Sequence, residues 1–147
     1  MHLAEFDFVH CLEPLDHPSM QGLVDNLDRI YALAESCPGF VWRLNDGEPD
    51  LSNYTLYDDP LVMINMSVWE SVRDLRHFMF KTEHREIIGR GREWFRKTPE
   101  AKVAFWWIEP GTIPTVAEGQ ERLAHLQEHG ESEYAFSYAS RDLCELY

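Results

Sequence analysis

From His2 to His10 apolar and polar residues alternate, with Ala4, Phe6 and Phe8 on one side and Glu5 and Asp7 on the other. That period of two predicts a half-polar strand. Leu12 to Pro18 reads as a loop. Behind Ser19, a residue type that caps helices, Met20, Leu23, Val24, Leu27, Ile30, Tyr31 and Ala34 recur at helical spacing until Pro38-Gly39. Phe40 to Leu44 is a short strand, and Asn45 to Pro60, rich in Asp, Asn, Gly, Pro and Ser, is a loop. The strongest strand is Leu61 to Trp69. Val62, Ile64, Met66 and Val68 fall on one face, Leu61, Met63, Asn65, Ser67 and Trp69 on the other, and both faces are largely apolar. A helical region runs from Ser71 to Phe95 with a break near Lys81-Thr82, where Thr82 can cap a second segment. Lys102 to Glu109 is a further apolar strand. Thr115 and Glu118 form a capping box that opens a last helix, and Gly130 ends it after His129. Tyr134 to Tyr138 has the pattern of an edge strand.

The order is β-α-β-β-α-β with an extra helix and strand. It predicts an α+β, ferredoxin-like split βαβ fold in one domain over residues 1–147. Helices cover only one face of such a sheet, so the two-sided apolar strands ask for a second cover. The favoured cover is another copy in a two-fold homodimer, and the alternative is the C-terminal segment folding over within one chain.

Composition narrows the partners. The chain has 147 residues, 13 Lys and Arg against 26 Asp and Glu, and a net charge of −13. So acidic a surface argues against nucleic acid and anionic membranes. The charge is uneven: Arg73 to Lys102 holds nine basic and five acidic residues, a local +4, beside four basic and 21 acidic residues elsewhere. That segment leaves room for a small anionic ligand. With no apolar run of transmembrane length and no basic leader, the expectation is a cytoplasmic protein. Cys11, Cys37 and Cys144 fit neither a disulfide framework nor a zinc motif and read as reduced thiols.

Four segments in order carry a resemblance: Gly39-Phe40-Val41-Trp42-Arg43-Leu44; Asn65 to Ser71; His84-Arg85-Glu86 with Arg92-Glu93-Trp94-Phe95; and Trp106-Trp107 leading to Ile113-Pro114-Thr115. Over residues 1–138 the chain resembles a bacterial family, domain-of-unknown-function family 3291, of the dimeric α+β barrel superfamily. The resemblance implies kinship with antibiotic-biosynthesis monooxygenases, haem-degrading monooxygenases, chlorite dismutases and aldoxime dehydratases. Function does not follow from such a fold. Gly89 and Gly91 depart from the family's more Arg-rich helix.

His84 is the leading candidate for chemistry. A helix starting near Thr82 puts it on one face with Ile87, Ile88, Gly91 and Phe95. A histidine on an apolar face can act as a base or as an axial metal ligand, or it can be a core residue bonded to a carbonyl. Gly91 leaves space for a flat ligand. Asn65 interrupts an apolar strand and can orient or stabilise a substrate oxygen, and Arg43, beside Trp42, can clamp a carboxylate or pair with Glu5 or Asp7. The remaining expected ligand contacts are Trp69, Phe80, Arg92 and Trp94, and Trp106 and Trp107 fall on opposite sheet faces. Glu121, His125 and His129 form a weak metal pattern that reads better as a solvated face.

Three functions remain open. The first is oxygenation of an aromatic or polyketide-like small molecule without metal, flavin or other cofactor, with His84 as base and Asn65 and Arg43 holding the anion. The second is haem binding, where the resemblance implies His84 as axial ligand and Arg90 or Arg92 on the propionates. The third is a non-catalytic dimeric metabolite-binding protein.

Overall fold

The sheet is built on β1 (His2–Cys11). In the computed structural model, which describes residues 1–44 and 59–147, this strand is paired along both edges. One edge pairs with β3 (Val62–Trp69), from Leu3↔Trp69 to His10↔Val62. The other pairs with β5 (Val103–Ile108), from His2↔Ile108 to Asp7↔Val103, and is continued at His10 and Cys11 by the two-residue β4 (Phe95–Arg96). A short outer strand, β2 (Phe40–Arg43), flanks β3 with a register irregularity between Phe40 and Trp42. Every pairing is antiparallel.

The alternation along these strands sorts side chains between two cores. On one face Leu3, Trp69 and Phe105 pack with Ile30 and Ala34 of α1 (Gln21–Ser36) and with Leu75 and Phe78 of α2 (Val72–Lys81). On the other, Ala4, Phe6, Ile64, Met66, Ala104 and Trp106 cluster with Leu123 and Leu126 of α4 (Val116–His129). The α4 backbone comes so close that a Cβ on Gly119 would lie 2.5 Å from the Phe6 ring. Much of the second apolar face is therefore covered within the chain by α4, while Phe8, Trp42, Leu44 and Val62 stay partly exposed.

Local chemistry accounts for the element ends. Ser71 caps α2 by accepting the Asp74 N–H at 3.1 Å, and Thr115 caps α4 by accepting that of Glu118 at 3.1 Å. Gly39 turns into β2 with φ +81°, where a side chain would run into Asp74. The break at Lys81-Thr82 is present: the Thr82 hydroxyl donates to the Phe78 carbonyl at 2.5 Å and accepts the His84 N–H at 3.3 Å, which starts α3 (His84–Gly89).

Three expectations need correction. Ser19 does not cap α1; it lies in a 3-10 turn over Pro18–Met20 that His17 caps by accepting the Ser19 N–H at Nδ1. The second helical segment does not reach Phe95. It stops at Gly89, since glycine is a poor helix former, and gives way to a 3-10 turn over Gly91–Glu93 and then to β4. Tyr134 to Tyr138 makes one bridge, Phe105↔Phe136, rather than a strand, and is followed by a short α5 (Arg141–Cys144). The predicted Asn45–Pro60 loop lies outside the described residues except for Asp59 and Pro60.

Candidate functional site

Between the sheet and α1, α2 and α3 lies a cavity of about 370 Å³. Its helical wall is the face predicted from sequence spacing: His84, Ile87, Ile88, Gly91 and Phe95 all line it. The 3-10 turn after α3 keeps Gly91 and Phe95 on the cavity side. A Cβ on Gly91 would meet nothing closer than Phe95 at 3.7 Å, so space is present there.

The sheet supplies a polar floor. Glu5 and Asp7 are two apart on β1 and project to the same face, as do their cross-strand partners Ser67 and Asn65 on β3. These side chains are joined by hydrogen bonds. The Trp69 indole N–H donates to the Ser67 hydroxyl at 2.9 Å, which donates to Glu5 Oε2 at 2.6 Å. Asn65 donates its amide to Asp7 Oδ1 at 3.1 Å.

Burial sets the protonation of this floor and wall. Glu5 is 7% exposed. Its desolvation, the charge of Asp7 and a hydrogen bond to Asp7 raise its carboxyl well above the usual range, against the pull of the Ser67 hydroxyl. Burial also pushes the His84 imidazolium below its ordinary pKa, opposed by the Met79 carbonyl and by Asp7. Nδ1 of His84 lies 3.3 Å from that carbonyl. With the Nδ1 proton donated there, Nε2 carries the basic lone pair.

All three residues expected to do chemistry, His84, Asn65 and Arg43, reach this one cavity, as do Trp69, Ile88 and Gly91. Arg43 arrives already engaged. Its Nε donates to Glu35 at 2.8 Å rather than to Glu5 or Asp7, a terminal nitrogen donates to the Leu44 carbonyl, and the guanidinium lies 4.4 Å from the Tyr31 ring. The other expected contacts lie away from the wall. Trp42 packs with the core on the opposite sheet face. Phe80 is 38% exposed. Arg92 is exposed on the 3-10 turn. Trp94 is buried with Cys11, Met20 and Leu23 beneath the guanidinium of Arg90.

Sequence reasoning missed Glu5 and Asp7 as site residues, reading them as the polar side of a strand and as partners for Arg43. Their signal was the shared period with Asn65 and Ser67. Tyr138 was missed as well, although it lines the cavity and its buried hydroxyl has no partner among the described residues. Trp106 and Trp107 do fall on opposite faces. The rings of His125 and His129 lie 4.6 Å apart and tilted, and among the described residues no group of three or more His, Cys, Asp and Glu side chains is arranged to hold a metal ion.

A haem would need its propionates met by cations. Arg90 and Arg92 do not line the cavity, and Arg90 is paired with Glu93 at 2.8 Å. Glu5 and Asp7 instead present acid to the interior, so the propionate contacts expected of Arg90 and Arg92 are not offered by this cavity.

The family model for a domain of unknown function, DUF3291, matches residues 2–144. The chain belongs to this family. No curated protein and no solved structure matches it. The cavity of this DUF3291 protein lies wholly within the matched span, and no helix among its described residues is long and apolar enough to cross a membrane.

Proposed function

We propose that this protein is an enzyme that takes a proton from a small, largely apolar molecule enclosed between sheet and helices. One observation carries the reading: a single apolar cavity holds a desolvated imidazole, His84, and a buried carboxyl, Glu5, beside the partly buried Asp7. Groups whose surroundings shift their proton affinities away from the ordinary values mark acid–base sites. In this reading His84 Nε2 is the base. Glu5 and Asp7, held by Ser67 and Asn65, fix the polar end of the molecule, and the rings of Trp69 and Phe78 exclude water around the reacting end. Arg43 and Asn65 position their neighbours more than they stabilise an anion, since each is already committed to a carboxyl.

The strand order β2-β3-β1-β5, with α1 in one crossover and α2 and α3 in the other, supports reading the domain as a ferredoxin-like α+β barrel. Among the reactions of that superfamily, oxygenation without a bound cofactor begins with the step this site suits. A phenol or an acidic C–H gives its proton to His84, and the resulting anion reacts with dioxygen in a dry pocket. Free Cys11, Cys37 and Cys144 support a reducing compartment such as the cytoplasm.

The test is dioxygen uptake and product mass spectrometry over a panel of phenols and β-diketones, with the wild type and His84→Ala. Uptake that falls by about 100-fold or more in the variant, with unchanged folding, supports the base. Binding without turnover leaves a metabolite-binding protein, and neither binding nor turnover removes the proposal.

A further inference from the structure

We infer that the molecule held in this cavity carries a basic amine, bound as its ammonium between Glu5 and Asp7. The inference rests on the cavity being the ligand site, as proposed above, and adds the chemical class of its occupant.

Two acidic side chains sit side by side in a largely apolar enclosure, and no cation among the described residues answers them. Neither permanent cation that lines the cavity is paired with them. Arg43 is bound to Glu35, and Lys102, which also lines the cavity, donates to the Arg96 carbonyl at 3.2 Å. No ion pair to Glu5 or Asp7 forms among the described residues. A protein that needed this pair only for packing would do as well with neutral groups, because burying a charge without a partner is costly.

The pair is also oriented. Ser67 and Asn65 each hold one oxygen of one carboxyl, and a further hydrogen bond joins Glu5 to Asp7. An ammonium brings three donors and no acceptor, which complements two carboxylates. Trp69, Phe78 and Phe105 also line the cavity, and a desolvated cation gains where it meets a ring face. An anion would meet like charge at this floor, and an alcohol could serve only one of the two carboxyls.

Charge balance fixes what binding does. Burial and the charge of Asp7 favour a proton on Glu5 in the empty floor. When the ammonium enters, that proton leaves for solvent, the ligand keeps its own, and no bond to carbon changes. The other titratable groups facing the cavity are Asp7, Tyr31, Arg43, His84, Lys102 and Tyr138.

The experiment uses the whole chain and matched sets of arylalkyl amine, alcohol and carboxylate on phenyl, indolyl and naphthyl skeletons. Titration calorimetry is run at pH 7 in two buffers of different ionisation enthalpy. The expected result is an amine bound at least tenfold more tightly than its alcohol and carboxylate counterparts, with about one proton released per ligand and none for the alcohol. Glu5→Gln and Asp7→Asn should each abolish that preference and the proton release, with folding checked by circular dichroism. Either variant suffices if the other does not fold. An alcohol or carboxylate that binds as tightly as the amine overturns the inference and leaves the cavity reading intact. Absence of binding by every skeleton overturns both.

Discussion

Glu5→Gln should make the empty protein more stable as pH rises, and the effect has a definite size and sign. In the folded chain the Glu5 carboxyl has its pKa raised by burial and by Asp7, whereas in the unfolded chain it titrates near 4.5. Between those two values the folded state holds one proton more than the unfolded state. Stability contributed by the neutral carboxyl is therefore complete below the unfolded value and is lost as pH climbs toward the folded one. One proton gives a slope of at most about 1.4 kcal/mol per pH unit. For a chain of this length that corresponds to roughly 3–6 °C in Tm per pH unit.

Glutamine copies the protonated acid: its carbonyl can accept the Ser67 hydroxyl and its amide can donate to Asp7. Wild type and variant should then coincide near pH 4.5 and separate steadily above it, the variant becoming the more stable. The wild-type curve alone is not enough. His84 has a folded pKa below its unfolded 6.5, so it adds stability as pH rises through the same range and masks the Glu5 slope. The difference between Glu5→Gln and wild type cancels the histidine. Urea denaturation at half-unit steps from pH 4.5 to 8 measures that difference, and parallel curves across the range would refute a buried, protonated Glu5.

Other substitutions probe the frame around the cavity. Gly119→Ala places a methyl 2.5 Å from the Phe6 ring, and overpacking of about 1–3 kcal/mol should outweigh the gain of about 1 kcal/mol in helix propensity. A Tm that rises would show that α4 does not press on the sheet. Gly91→Ala, where the nearest contact is 3.7 Å away, should leave stability within about 0.5 kcal/mol of wild type while narrowing the cavity, read as weaker binding of the bulkiest skeleton. Ser71→Ala removes the acceptor for the Asp74 N–H and should cost about 1 kcal/mol in urea denaturation without altering ligand selectivity.

Elements defined by local periodicity were readable from the sequence. The α3 face is the clearest case: spacing alone grouped His84, Ile87, Ile88, Gly91 and Phe95, and the cavity collects all five even though the helix breaks at Gly89. Side chains that depend on long-range register were not readable. Trp42 and Arg43 were grouped as neighbours, yet the irregularity between Phe40 and Trp42 lets Phe40 and Arg43 share the cavity and turns Trp42 to the other face. Trp94 drew attention as an aromatic beside the basic segment. Its place is fixed by packing against Met20 and Leu23, residues far away in sequence.

Glu5 and Asp7 show why the centre of the site was the hardest part to read. Alternation marks them as the polar side of a strand, and a polar side ordinarily faces water. Here β1 is central, so its polar side lies under α1 and α2, and the register that sets Glu5 against Ser67 and Asp7 against Asn65 is known only once the strands pair. A polar row on a central strand sets the local pattern against burial, a conflict that folded proteins tolerate mainly where a site requires it. The chain could have placed Val or Thr at position 5 and kept the strand. It instead buries an acid beside an acid and holds both with directed hydrogen bonds, which is the expense expected of a surface built to receive something charged.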